Sequence, residues 1–299
     1  MKARAVARTD APGALRVRLA DYLDLTKPRI ALMALAVTLT GHYMATQGAL
    51  DAALAIHTLL GTGLVAAGAC ALNHVIERRF DALMRRTEAR PLPAGRMTSA
   101  EAAAFGVALS ILGVVYLFVS TNPLAAALAA VTLALYLLVY TPLKRLTALN
   151  TLAGAVPGAM PPLIGWAAAT GSLSRPALTL FAILFLWQLP HFYAIAWLYR
   201  DDYARGGFRM LSTEDPDGHR TARQVMVQTF LLAAVSLMPT LWGQTGIFYF
   251  CAALALGGAF WFFGWRLASR LGEIDARRLL LASIVYLPLL LAAMAIDKI

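Results

Sequence analysis

The chain has 299 residues, 60% of them hydrophobic and only 14% charged, with 26 Lys and Arg against 16 Asp and Glu for a net charge of +10. So apolar a composition excludes a water-soluble domain, and the basic excess, which alone would suit a nucleic-acid binder, is distributed as an orientation signal instead. Nine apolar runs, roughly 28–47, 54–76, 98–119, 123–140, 149–170, 177–198, 224–242, 246–265 and 279–296, approach the ~20 residues a helix needs to cross a bilayer. Backbone polar groups have no water partners in lipid, so the expected fold is all-α, a polytopic integral membrane protein with nine transmembrane helices. With the amino terminus in the cytoplasm, every Lys and Arg except Arg175 and Lys298 falls on the cytoplasmic side. The basic excess then orients the chain and adds some attraction to anionic lipid, and no nucleic-acid partner is expected.

Residues 1–24 are basic and polar and read as a cytoplasmic tail without a cleavable signal peptide, with 25–299 as one transmembrane domain. The tail is loose around Pro12 and Gly13, and Arg16 to Asp24 suits a short surface helix before Thr26-Lys27-Pro28-Arg29, where Pro28 fits the first turn of span one. Span one contains His42. Cys70 and Cys251 both fall inside spans with no second Cys or His placed beside them, so neither a disulfide nor a zinc site is expected.

Span two ends in the densest polar passage of the chain, Asn73 to Met97. Asn73, Glu77 and Asp81 stand four residues apart, so on a helix they form a rail of oxygen-bearing side chains ~12 Å long. Arg85, Arg86, Arg90 and Arg96 follow, and Pro91 and Pro93 end the helix and leave these cations on a loop. Carboxylates beside guanidinium groups suit a polyanion held through a divalent cation. A local ion pair of Glu77 or Asp81 with Arg78 or Arg85 is the competing, purely structural reading, and a helix–helix hydrogen bond is the corresponding one for Asn73.

Between spans four and five, Tyr140-Thr141-Pro142-Leu143-Lys144-Arg145 puts two more cations on the same side as the rail, where they suit either a diphosphate or simple positive-inside anchoring. Span six carries Trp187-Gln188-Leu189-Pro190-His191-Phe192 and leaves the membrane at Tyr199-Arg200-Asp201-Asp202. His191 lies ~12 Å inside the end of that span, about as deep as Asn73. Ionisable groups in a bilayer cost ~2.5–3.5 kcal/mol each on insertion scales, which makes them functional candidates. A satisfied interior histidine is the alternative for His191. Glu214, Asp215, Asp217 and His219 read as a solvated cap, and spans seven to nine as structural packing or lipid-facing surface. The long, polar connections 77–97 and 199–223 put the chemistry at the cytoplasmic face.

Taken together, Thr26-Lys27-Pro28-Arg29, the Asn73–Met97 passage with Arg90-Pro91-Leu92-Pro93, Tyr140-Thr141 with Leu143-Lys144-Arg145, Trp187 to Phe192, and Asp202-Tyr203 with Gly206 and Met210-Leu211 resemble the UbiA superfamily of intramembrane prenyltransferases, and within it the haem-farnesylating branch. The resemblance covers about residues 22–290. It implies nine helices around a central cavity open toward the cytoplasm, and transfer of a farnesyl group from farnesyl diphosphate to a vinyl group of haem B, giving haem O. It further implies magnesium on Asn73, Glu77, Asp81, Asp201 and Asp202, and diphosphate on Arg86, Arg90, Lys144 and Arg145. Haem contacts would fall to His191 or, more weakly, His42. The expected setting is the bacterial inner membrane, with haem A synthase or oxidase assembly proteins as partners. Glu77 departs from the Asp usual in the family, and Tyr199 stands at the earlier acidic position of the second motif, which leaves a second magnesium position open. A quinone-precursor prenyltransferase acting on 4-hydroxybenzoate is the nearest rival. A secondary transporter is the rival from another class, although transporters place their sites near the midplane and not at one face.

Overall fold

The protein is described from a computed structural model covering residues 12–299; the expected loose tail over residues 1–11 lies outside the described residues. The surface helix begins earlier than expected, as α1 (Pro12–Thr26), and Lys27 separates it from α2 (Pro28–Ala45). A 30-residue α3 (Ala52–Asp81) carries the chain back, its first turn capped by Asp51, whose carboxylate accepts from the Leu54 N–H at 3.0 Å. Thr98 caps α4 (Ser99–Ser120) and Asn122 caps α5 (Pro123–Ala134) in the same way.

α5 does not run on as a plain α-helix. Leu135–Tyr140 is a π-helical segment, followed by the short α6 (Thr141–Leu143). Pro142 has no N–H for the ladder, and Thr141 turns both its N–H and its hydroxyl to the carbonyl of Tyr136, five residues back. The wider turn re-aims Tyr136, Tyr140 and the Lys144 that follows, a device common beside functional sites.

The expected fifth span is also two pieces, α7 (Asn150–Gly158) and α8 (Pro161–Thr170), broken because Pro161 and Pro162 cannot donate. After α9 (Arg175–Leu198) come the short α10 (Arg200–Arg205) and α11 (Leu211–Glu214), then α12 (His219–Val235), α13 (Met238–Leu241), α14 (Ile247–Arg270) and α15 (Glu273–Ile296).

Eight helical rods among the described residues are long and apolar enough to cross a membrane, with α5 through α6, α7 with α8, and α12 with α13 each counting as one. α2 packs in the same bundle against α3 and α8 but falls outside that set, since its 18 residues include Arg29 and His42. One group of helices packs α2, α3, α4, α5 and α8 together, the other α9, α12, α14 and α15, and contacts of α9 with α7 and α8 join them.

Backbones approach closely where side chains are smallest. A Cβ on Gly165 of α8 would overlap the Thr38 carbonyl of α2, and one on Gly113 of α4 would lie 2.7 Å from the backbone N of Val65 on α3. Between α9 and α15 the packing is aliphatic, with Leu180, Ile183, Leu189, Leu287 and Leu290 all buried. The rods therefore form a fixed wall, and the polar connections 82–97, 144–149 and 199–218 gather at one end of it, here called the basic end.

Candidate active site

The last turns of α3 carry the rail. Asn73, Glu77 and Asp81 are all buried, and each is held by a cation from a different segment. Lys27 Nζ donates to Asn73 Oδ1 at 3.0 Å, Lys144 Nζ to Glu77 Oε1 at 2.7 Å, and Arg90 Nη1 to Asp81 Oδ2 at 2.8 Å. Asn73 Nδ2 also donates to Thr141 Oγ1 at 3.3 Å, tying the rail to the π-helical segment. The pairing is therefore long-range. Arg78 bonds back to the Val75 carbonyl of its own helix, and Arg85 is exposed.

The oxygens are not all used. Among the described residues, Asp81 Oδ1 is buried without a hydrogen-bond partner, and so are both ring nitrogens of His74, the next residue along from Asn73. An orphaned carboxylate oxygen one helical turn from a second carboxylate, with an amide oxygen a further turn along, suits a hard cation, which takes one or two carboxylates and completes its shell with phosphate and water. Among the described residues no group of three or more His, Cys, Asp or Glu forms a metal cage, so a cation held here would need oxygens from its substrate.

The cations are primed for an anion. Lys27 sits in the left-handed backbone region, φ 48°, uncommon for a side chain with a Cβ, and this turn aims its ammonium at Asn73. Burial, with Arg90 and Lys144 nearby, pushes that ammonium below the ordinary lysine value. Lys144 stands above it: burial works against its charge, but Tyr140 and the Glu77 carboxylate outweigh that loss. The Lys144 ammonium also lies 4.5 Å from the Tyr140 ring centre, itself 5.5 Å from that of Tyr136.

Three loops close over this end. Lys144 O accepts from the Arg209 N–H at 2.7 Å, Asn150 Nδ2 donates to Arg209 O at 2.7 Å, and Met84, Ala196, Phe208 and Met210 pack beneath. Arg86 belongs to this cover: its Nη2 donates to the Tyr203 hydroxyl at 3.1 Å, and its guanidinium lies 4.9 Å from the Tyr199 ring centre. Arg145 rests on Phe80 at 4.2 Å. Asp202 is buried and ion-paired with Arg205.

The comparisons with known proteins agree with this architecture. The model of the UbiA prenyltransferase family matches residues 34–295. The chain belongs to the UbiA prenyltransferase family. A curated relative from Solibacter usitatus, a protoheme IX farnesyltransferase, is 48% identical over 93% of this chain and 98% of its own length. Another of that name, from Koribacter versatilis, is 44% identical over 94% of each chain. Among solved structures, a digeranylgeranylglyceryl phosphate synthase matches with a TM-score of 0.78 at 18% identity, over 93% of this chain and 98% of that one. A UbiA homologue from Archaeoglobus fulgidus bound to DMAPP and Mg2+ matches at 0.68 and 14%, over 92% and 99%.

Within this UbiA fold, several expectations need correction. Asp201 is not with the rail: its side chain is 89% exposed, and its cation neighbour is Arg200 at 4.0 Å, because the helical turn of α10 faces it outward while burying Asp202. His42 sits near the end of α2 away from Lys27, beside Thr46, Asp51 and Thr170, so the length of the bundle separates it from the rail. Asp215 is not solvated; it is buried and accepts from the Thr221 N–H at 2.7 Å at the start of α12. α15 is more than packing, since its Ser283 lies 2.7 Å from His191 Nδ1. Sequence reasoning missed Lys27 and Thr141 as partners of Asn73, although both stand inside motifs it singled out. Only three-dimensional pairing reveals the role of either.

Proposed function

We propose that this protein transfers a farnesyl group from farnesyl diphosphate to a vinyl group of haem B, giving haem O and diphosphate. The observation that carries the reading is the rail of Asn73, Glu77 and Asp81, each oxygen side chain met by a cation from a separate segment. The names of the close relatives support the haem acceptor. Asn73, Glu77, Asp81 and, from α10, Asp202 would hold magnesium, which when bound supplies positive charge to the diphosphate as its carbon–oxygen bond weakens.

This chain's own residues do the rest. Lys27, Arg90 and Lys144 exchange their contacts with the rail for the diphosphate oxygens and neutralise the negative charge that grows on them, with Arg86 and Arg145 contributing from the cover. The Tyr136 and Tyr140 rings offer apolar, electron-rich faces to the allylic cation. The vinyl group then attacks the farnesyl carbon, and the new cation, on the vinyl carbon next to the porphyrin ring, takes up water and loses a proton to give the hydroxyalkyl group. Water admitted earlier would quench the farnesyl cation, and the interlocked loops over the basic end supply the seal. His191 contacts the haem, through iron or a propionate. The basic end faces the cytoplasm of a bacterial inner membrane, following the positive-inside distribution of Lys and Arg.

Competition between acceptors tests the reading. When membranes containing the protein receive farnesyl diphosphate with equal haem B and 4-hydroxybenzoate, the farnesyl group should appear on the porphyrin alone. Farnesylated benzoate in place of haem O would move the protein to the quinone branch of the same fold.

A further inference from the structure

The imidazole of His191 is held in one tautomer. Ser283 Oγ has a single proton, which it donates to the Leu280 carbonyl at 2.6 Å, and the same oxygen lies 2.7 Å from His191 Nδ1. A hydroxyl whose proton is committed to a carbonyl can only accept, so the ring proton is on Nδ1. Reversing the Ser283 hydroxyl would set two acceptor oxygens 2.6 Å apart. Nε2 therefore keeps its lone pair, and it makes no hydrogen bond among the described residues.

The ring is also fixed in place. Trp187 stacks on it, with ring centres 5.3 Å apart and planes 25° from parallel, and Phe192 meets it edge-on at 5.6 Å. The Trp187 indole N–H donates to the backbone carbonyl of Ser283 at 2.8 Å, so one residue braces both partners of the His–Ser pair. This network joins α9 to α15 within an otherwise apolar contact, where a polar group is costly unless used. His191 stands seven residues before the end of α9, ~10 Å in by helical rise, close to the ~12 Å depth of Asn73 on α3.

A carboxylate would need a donor, and Nε2 presents none. A neutral imidazole with a free lone pair, its other nitrogen donating to a fixed acceptor, is what a metal ion selects. We propose that His191 ligates the haem iron through Nε2, and that Ser283 is the positioning residue that sets the tautomer and ring orientation for it. The proposal rests on haem B being the acceptor.

Ferric haem B and metal-free protoporphyrin IX separate iron from propionate. Both are titrated into the detergent-solubilised full chain and into His191→Ala, Ser283→Ala and Ser283→Thr, following porphyrin absorbance and the EPR of the ferric haem. The wild type should show a nitrogen-ligated haem. His191→Ala should lose that signature and bind haem B at least about tenfold more weakly, with its affinity for protoporphyrin IX unchanged. Ser283→Ala should weaken haem B by about tenfold, the low end for loss of a group that orients a metal ligand, and Ser283→Thr should restore it. Equal weakening of both porphyrins in His191→Ala, or an unchanged ligand signature there, overturns the proposal. So does Ser283→Thr behaving like Ser283→Ala, an outcome that stands even if His191→Ala fails to fold. A wild-type chain that binds neither porphyrin contradicts the acceptor assignment instead.

Discussion

Replacing Asp81 with Ala should abolish farnesyl transfer, by about a thousandfold or more, equivalent to about 4 kcal/mol of transition-state stabilisation, while the bundle stays intact. Asp81 Oδ2 accepts from Arg90, and Oδ1 is buried with no partner among the described residues, an oxygen left over after the structural contact is made. Arg90 is 28% exposed, so water can satisfy it once Asp81 is gone. Arg90→Met separates the two roles of the pair. If Asp81 serves only to hold Arg90, both variants lose the same activity. The metal role predicts a larger loss in Asp81→Ala than in Arg90→Met, which removes one of several cations facing the diphosphate and leaves the metal ligands in place, read as initial rates in membranes with equal amounts of inserted protein.

Lys144→Met carries the next largest effect. Its ammonium is 2.7 Å from Glu77 and 4.5 Å from the Tyr140 ring centre, and both members of the ion pair are nearly enclosed. Loss of one such preorganised charge at a developing anion typically lowers kcat by about 10²–10³. The substitution also strands a buried carboxylate, which by itself destabilises the protein. The double variant Lys144→Met/Glu77→Gln removes that second effect, and it should recover thermal stability without recovering turnover. A double variant as active as the wild type would make the pair a structural tie and remove Lys144 from the chemistry.

The sequence reading was strongest where periodicity and physical necessity coincide. Long apolar runs have few alternatives in a membrane protein, so the helices of the fold follow from hydropathy and length. The four-residue steps from Asn73 to Asp81 likewise place three side chains on one face of any helix. Failures came where tertiary contacts decide. Thr141 and Pro142 looked like the end of a span, yet together they widen the preceding turn into a π-helix and aim Lys144 at Glu77. Asp201 and Asp202 are adjacent and chemically equivalent in sequence, and only the turn of α10 buries one and exposes the other. Ser283 lies in an apolar run with nothing local to mark it, because its partners Trp187 and His191 are more than ninety residues away. A lone serine amid leucines in a span is the one signal available, and it names no partner.

The central claim, that the rail ionises farnesyl diphosphate for a haem acceptor, is tested most directly by incubating membranes containing the protein with haem B and farnesyl diphosphate. Magnesium is supplied in one tube and chelated in another, and porphyrin products are read by mass spectrometry. The expected product is a porphyrin heavier by one farnesyl group and one hydroxyl, formed only with magnesium and only when Asp81 is present. Haem O formed equally in the chelated tube, or by the Asp81→Ala variant, would contradict it.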